Sequence, residues 1–166
     1  LSDKDIIESL YAASSAGVSI DLIIRGICCL RVGIKGVSEN IRVRSIVGTF
    51  LEHARIFYFK VENEEEIFLG SADWMNRNLE KRVEIVFPVA DEDIKREIKH
   101  YLEVELSDNV KASVLLPDDT YVKVSKDGER RNSQEIFVNE AIEAYRNAVK
   151  TNRDSEGRTF IPMQGE

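Results

Sequence analysis

Between Phe50 and Glu84 the chain carries one of its two histidines, His53, with Arg55 two residues on. The same stretch continues through Gly70, Ser71, Ala72 and Asp73 to Asn76, Arg77, Asn78, Arg82 and Glu84. An imidazole serves as a nucleophile toward phosphorus, or as general acid and base near neutral pH. A guanidinium beside it suits phosphate, because Arg offers planar bidentate donors and keeps its charge. If Arg55–Phe59 is a strand, His53 and Arg55 lie on one face. A hairpin through Glu62–Glu66 then returns Ile67–Leu69 alongside and delivers Ser71 and Asp73 near the histidine. Glu84 is a candidate to orient the imidazole and Arg82 a candidate anion ligand, if their strand lies next to His53. The chemistry this outlines is an anion site.

Helices and strands must position these groups. Ser2–Ala16 reads as a helix capped by Ser2, with Ile6, Ile7, Leu10 and Tyr11 as its apolar stripe and Gly17 as its terminator. Val18–Ile24 is mostly apolar, as an inner parallel strand would be, and Arg25-Gly26 closes it. Ligands of open α/β sheets gather beyond strand carboxyl ends, which makes Arg25 a candidate ligand as well as a plain strand-end arginine. Arg31–Asn40 is a loop, Ile41–Val47 an alternating strand, and Gly48–Glu52 a short helical turn. Val83–Phe87 is a β-rich run stopped by Pro88. Asp91–Leu106 is an amphipathic helix capped by Asp91, and His100 on it reads as a surface or half-buried residue. Val110–Leu116 and Tyr121–Val124 form a hairpin. Ser133–Lys150 is a final helix, and Thr151–Glu166 lacks periodicity and is expected to be a disordered tail.

The 166 residues fit one domain, expected over 1–150, and 43% hydrophobic with 32% charged residues describes a soluble globular class. No apolar run reaches the ~18 residues needed to span a bilayer, and no signal peptide is visible. Cys28 and Cys29 are adjacent, which suits neither a mutual disulfide nor a metal site by themselves, so they read as buried reduced thiols of a cytoplasmic protein. There is no zinc-spaced Cys/His cluster, no GxSxG and no Walker motif, and no metal ligands are assigned. A net charge of −7 argues against general nucleic-acid binding. Yet Arg25–Lys60 carries +5 and the remainder −12. Such a segment holds a polyanion locally or forms a solvated face, and charge alone leaves both open.

The order His-x-basic, hairpin, Gly-Ser-small-polar and later Glu resembles the phospholipase D superfamily half-site, His-x-Lys-x4-Asp followed by Gly-Ser-x-Asn. The departures are Arg55 for the Lys, Lys60 at the Asp position and Asp73 for the Asn, and they count against an ordinary phosphodiesterase. Longer strings, LYAASSAGVSIDLIIRGICCL, GVSENIRVRSIVGTFLEHARIFYF and SADWMNRNLEKRVEIVFPV, resemble the C-terminal catalytic domain of the bacterial polyphosphate kinase family. The resemblance runs to about residue 150. It implies an α/β fold, a phospholipase D-like half-domain with a mixed β-sheet flanked by helices. It implies reversible transfer of the ATP γ-phosphate onto inorganic polyphosphate, assisted by Mg2+, through a phosphohistidine in a preceding domain outside this chain. The family's strand ahead of the first helix is also absent, so the chain is expected to start inside its domain.

Carried over by motif, RGICCL puts a nucleotide-phosphate arginine at Arg25, and LEHARI puts the second essential histidine at His53. Arg55, Ser71, Asp73 and Arg82 are added as phosphate-binding candidates from face and spacing. Expected partners are ATP or ADP, polyphosphate, the preceding domains and, in the full-length protein, a second copy of itself. The rivals are a phospholipase D-type phosphodiesterase half and a non-catalytic anion-binding or assembly domain. For the isolated chain the non-catalytic outcome is expected, since half of the two-histidine site lies elsewhere.

Overall fold

In a computed structural model, which describes residues 1–125 and 128–154, the first helix begins at a carboxylate. Asp3 is extended, and its Oδ1 accepts from the Ile6 N–H at 3.1 Å. The expected cap, Ser2, instead donates its backbone N–H to Trp74 O at 2.9 Å. The elements are α1 (Lys4–Ser15), β1 (Ile20–Ile23), β2 (Ile41–Ile46), β3 (Ile56–Val61), β4 (Glu64–Gly70), α2 (Asn76–Leu79), β5 (Val86–Pro88), α3 (Glu92–Ser107), β6 (Ala112–Leu115), β7 (Tyr121–Lys123) and α4 (Ser133–Asp154). Two compact units result, Leu1–Ser133 and Gln134–Glu166. The second is described by most of α4; the rest of the expected tail, 155–166, lies outside the described residues.

The expected mixed sheet is present, and a second sheet accompanies it. Four strands run in the order β1-β2-β6-β7, parallel between β1 and β2 and antiparallel beyond. Among the described residues β1 is therefore an edge strand, not the inner one its apolar run suggested. Side chains alternate along β2, so Ile41 and Val43 share a face, and the Ser45↔Ser113 register puts Leu115 on that face too. These three, with Leu1, Leu30 and Val32, form the core against which Ile6, Ile7, Leu10 and Tyr11 of α1 pack. Each such side chain contributes about 1.5–3 kcal/mol when fully buried. Gly17 ends α1 as expected, in the left-handed region at φ 93°.

The second sheet is antiparallel, in the order β3-β4-β5. Its hairpin turns on Glu62 and Asn63 alone, so Glu64–Glu66, expected in the turn, belong to β4. That register sets Lys60 opposite Glu65, a favourable cross-strand pair. The expected strand over Val83–Phe87 shrinks to Val86–Pro88, and Val83 is 99% exposed. Pro88 is the last residue of this strand, so the run ends at the proline as expected. β5 is the edge of its sheet, so a missing N–H is tolerated there. Gly48–Glu52 forms no helical turn, and 51–55 has no regular structure. Cys28 is half-buried and Cys29 exposed; both are free thiols, so only the first approaches the buried thiol expected. Asp91 caps α3 as expected, accepting from the Asp93 and Ile94 N–H groups.

One buried carboxylate joins the parts of the first unit. Asp108, fully buried at the end of α3, accepts through Oδ1 from the N–H groups of Val110, Lys111 and Ala112. Its Oδ2 accepts from the Ser133 N–H and Oγ–H at 2.8 and 2.9 Å. Burial alone would raise its pKa, but these hydrogen bonds outweigh burial and hold it below the usual carboxylate value.

Candidate phosphate-handling site around His53

Parallel pairing of β1 and β2 puts their carboxyl ends side by side, with Ile24 N–H donating to Arg44 O at 2.7 Å. Arg25 follows one strand directly, and the segment leading to His53 follows the other. Arg25 is exposed on its bend and has no ion pair among the described residues. A short relay ties that bend to the second sheet. The Leu1 amino group donates to Ile27 O at 2.7 Å, and the next two N–H groups donate to Trp74 O. Trp74 packs on the core and stacks on Phe57 with ring centroids 5.0 Å apart. Asp73, its neighbour, is thereby fixed.

Asp73 fixes Arg55, and Arg55 meets His53. Arg55 Nε donates to Asp73 Oδ1 at 3.1 Å, and Nη2 completes the ion pair at 3.0 Å. Arg55 Nη1 lies 2.8 Å from His53 Nδ1 and 3.2 Å from Nε2, and donates to His53 O at 2.8 Å. A guanidinium has donors only, so Arg55 can bond the ring only as the donor. His53 and Arg55 do come together as the spacing suggested, but through Arg55 reaching back from the strand's start, not from a shared strand face. Most of the arginine's donors are engaged inside the chain.

Ser71 and Glu84 form the adjoining group. Gly70 leaves room for it: a Cβ there would come within 3.1 Å of Phe57 Cε2 and 3.3 Å of Ile85 O. The Gly70 N–H donates to Arg55 O and the Ser71 N–H to Ile85 O. Ser71 Oγ donates to Glu84 Oε2, and Asn78 Nδ2 donates to Glu84 Oε1 at 2.9 Å. Glu84 is thus taken by Ser71 and Asn78, not by the imidazole it was expected to orient. Those hydrogen bonds, first Ser71 and then Asn78, lower its pKa, with weaker help from the Arg82 and Arg55 charges. Arg82 is exposed beside this carboxylate. Asn78 is named in this stretch of the sequence but has no role assigned from it. It is 3% exposed, and its Oδ1 has no hydrogen-bond partner among the described residues. Such an orphaned acceptor costs about 1–3 kcal/mol.

The basic segment is largely neutralised. Arg31 pairs with Asp119, Arg42 with Asp21, Arg55 with Asp73 and Lys60 with Glu65, while Arg44 donates to Asp108 O. Arg25 and Lys35 are left without such a partner among the described residues. A second source of positive charge lies beside Arg25. Gly26, Ser45, Val47, Lys111, Ser113, Tyr121 and Lys123 line an open depression of about 240 Å³. Ser45, Ser113 and Lys123 are register neighbours across three strands, on the face whose other end is the core. No cluster of three His, Cys, Asp or Glu side chains that could hold a metal occurs among the described residues. No helix among them is long and apolar enough to cross a membrane.

Residues 1–134 match the family described as polyphosphate kinase C-terminal domain 2. A polyphosphate kinase of Synechocystis is 52% identical over 161 residues, 96% of this chain and 21% of that protein. One from Lactiplantibacillus plantarum is 49% identical over 165 residues, covering 98% of this chain and 23% of that protein. The crystal structure of polyphosphate kinase from Porphyromonas gingivalis superposes with a TM-score of 0.79 at 42% identity, over 92% of this chain and 23% of that one. The chain spans about a fifth of the length of these relatives. Between the sequence strings around Arg25 and His53, the paired strand ends that carry them and these matches, the assignment is direct: the chain belongs to the polyphosphate kinase family, as its C-terminal domain 2.

Proposed function

We propose that this chain supplies the receiving half of an ATP:polyphosphate phosphotransferase site. Its relatives' names motivate the substrates, and the His53–Arg55–Asp73 relay is the observation in this chain that carries the reading. In the full-length protein a histidine of a preceding domain attacks the γ-phosphorus, the bond to the bridging oxygen breaks, and ADP leaves. A terminal oxygen of polyphosphate then takes the phosphoryl group from that histidine, and the sequence runs in reverse as well. His53, opposite the attacking histidine, donates a proton or hydrogen bond to oxygens where charge accumulates, and Arg25 binds the nucleotide phosphates.

Arg55 and Asp73 act chiefly by holding the imidazole, since the guanidinium is already engaged and a carboxylate offers a phosphate no donor. Ser71 and Arg82 complete the phosphate-facing edge around Glu84. The depression beside Gly26 gives an extended polyanion two ammonium groups and two hydroxyls beyond Arg25. Mg2+ enters as the companion of ATP, where it would offset phosphate charge. A cytoplasmic location and self-association of the full-length protein belong to the same reading. The exposed Phe50, Leu51 and Ile85, close in sequence to His53 and Glu84, suit burial against the preceding domains.

Purified alone, the chain should make no polyphosphate from ATP, yet bind polyphosphate weakly and with strong salt dependence. Robust synthesis by the chain alone would sink the claim that the nucleophile lies elsewhere. Phosphodiester hydrolysis dependent on His53 would favour the phospholipase D-type reading instead.

A further inference from the structure

The segment that carries His53 has no regular structure over 51–55, and besides the Gly70 N–H bond to Arg55 O it is held by side chains. Glu52, immediately before the histidine, is gripped from α3. Tyr101 Oη donates to Glu52 Oε2 at 2.9 Å. Glu105, four residues along the same helix and hence on the same face, is 5% exposed, with its carboxyl beside the Tyr101 hydroxyl and the Glu52 carboxyl. Two carboxyl groups so close repel each other when both are charged, which raises the Glu105 carboxyl.

We propose that Tyr101 and Glu105 clamp Glu52 to α3 and thereby position His53. The inference rests on the catalytic reading of His53 above. Glu52 is then a positioning residue, not a catalytic one. Burial first, and next the Glu52 charge, push the Glu105 carboxyl up to about 7. The other groups facing it are Tyr101 on its own helix and Asp108 at that helix's end; Asp108 raises it further. Arg44 of β2 approaches this end too, where its guanidinium donates to Asp108 O. The clamp therefore holds below neutrality and loosens as Glu105 ionises.

The test uses the full-length protein with Glu52→Ala, Glu105→Ala and Glu105→Gln. Three quantities are read: kcat and KM for polyphosphate synthesis from pH 6 to 9, and the rate of His53 carbethoxylation followed by peptide mass spectrometry. The alanine variants should lose about tenfold in kcat with KM for ATP within about twofold, because misplacing a reacting group costs rate more than binding. His53 labelling should rise several-fold in both. Glu105→Gln is a neutral isostere that keeps a donor and the fold. It should retain kcat and abolish the decline above pH 7 expected of the parent. Parental kcat and labelling in both alanine variants, or an unchanged pH decline in Glu105→Gln, would overturn the clamp. Near-parental synthesis by His53→Ala would remove the catalytic reading instead, while labelling of His53 in the Glu105 variants would still report on the clamp.

Discussion

The two sheets of the first unit hide their side chains to different degrees. In the four-stranded sheet Ile41, Val43, Ile46 and Ala112 are 1–3% exposed. In the three-stranded sheet Phe59, Val61, Val86 and Phe87 are 46–71% exposed. One face of the first, with Ile41, Val43 and Leu115, is held by apolar packing on α1. The second keeps its shape through hydrogen bonds and ion pairs: Arg55 with Asp73, Glu84 with Ser71 and Asn78, and Glu65 with Lys99 and Tyr58. Apolar packing is non-directional and fixes a scaffold, whereas directed polar contacts fix the orientation of individual side chains. Arg25 and the depression lie at the carboxyl end of the first sheet, while His53, Arg55, Asp73, Ser71 and Glu84 lie in the half built by directed contacts. That half also keeps apolar surface available for other parts of a longer protein.

This contrast breaks first at Asp108, the polar group on which the scaffold side depends. Asp108→Ala strands several buried N–H groups and should cost about 3–5 kcal/mol in urea unfolding. A loss under 1 kcal/mol would show that the carboxylate is dispensable. The pH dependence of stability comes next. The Glu105 carboxyl has an ordinary value of 4.5 and rises to about 7 in the fold, so the folded state binds the extra proton. The stability it supplies is present below 4.5 and is lost as pH climbs through 7, on the order of 2–3 kcal/mol. Asp108, held below its ordinary value, has the opposite sign, and its contribution is lost as pH falls. Comparing the parent with Glu105→Gln by urea unfolding at pH 5 and pH 8 isolates the first effect.

On the site side, Asp73→Ala should leave stability nearly unchanged and lower full-length kcat about tenfold, since it frees Arg55 and with it His53. Equal losses in stability and rate would mean that the pair is scaffold, not positioning. The smallest expected effect is at the depression. Lys111→Ala with Lys123→Ala should weaken polyphosphate binding a few-fold and flatten its dependence on log salt by roughly one to two units, as lost phosphate contacts do. An unchanged slope would confine the polyanion to Arg25 and its surroundings.

Local patterns in the sequence were readable where the physics is local. The Asp91 cap, the alternation through β2 and the two hairpins follow from neighbours within a few residues. His53 and Arg55 were paired by spacing, and Asp73 was placed near them by the hairpin. The partners of Glu84 were misjudged, because the Ser71 contact depends on a close approach at Gly70 that no periodicity reports. β5 was overextended because Val83 and Ile85 are β-formers left in the open, 99% and 61% exposed. Asp108 and the Glu52–Tyr101 contact went unseen. Their partners lie 25 and 49 residues away, and a lone Asp or Glu in sequence carries no sign of burial.

The central claim is that His53 acts on phosphate in a site shared with a domain outside this chain. Its most direct test is the rate of polyphosphate synthesis from ATP by the full-length protein carrying His53→Ala, with thermal unfolding as the control. A loss of at least about a hundredfold in kcat with an unchanged melting temperature is predicted for a group stabilising developing charge. Synthesis near the parental rate would contradict the account.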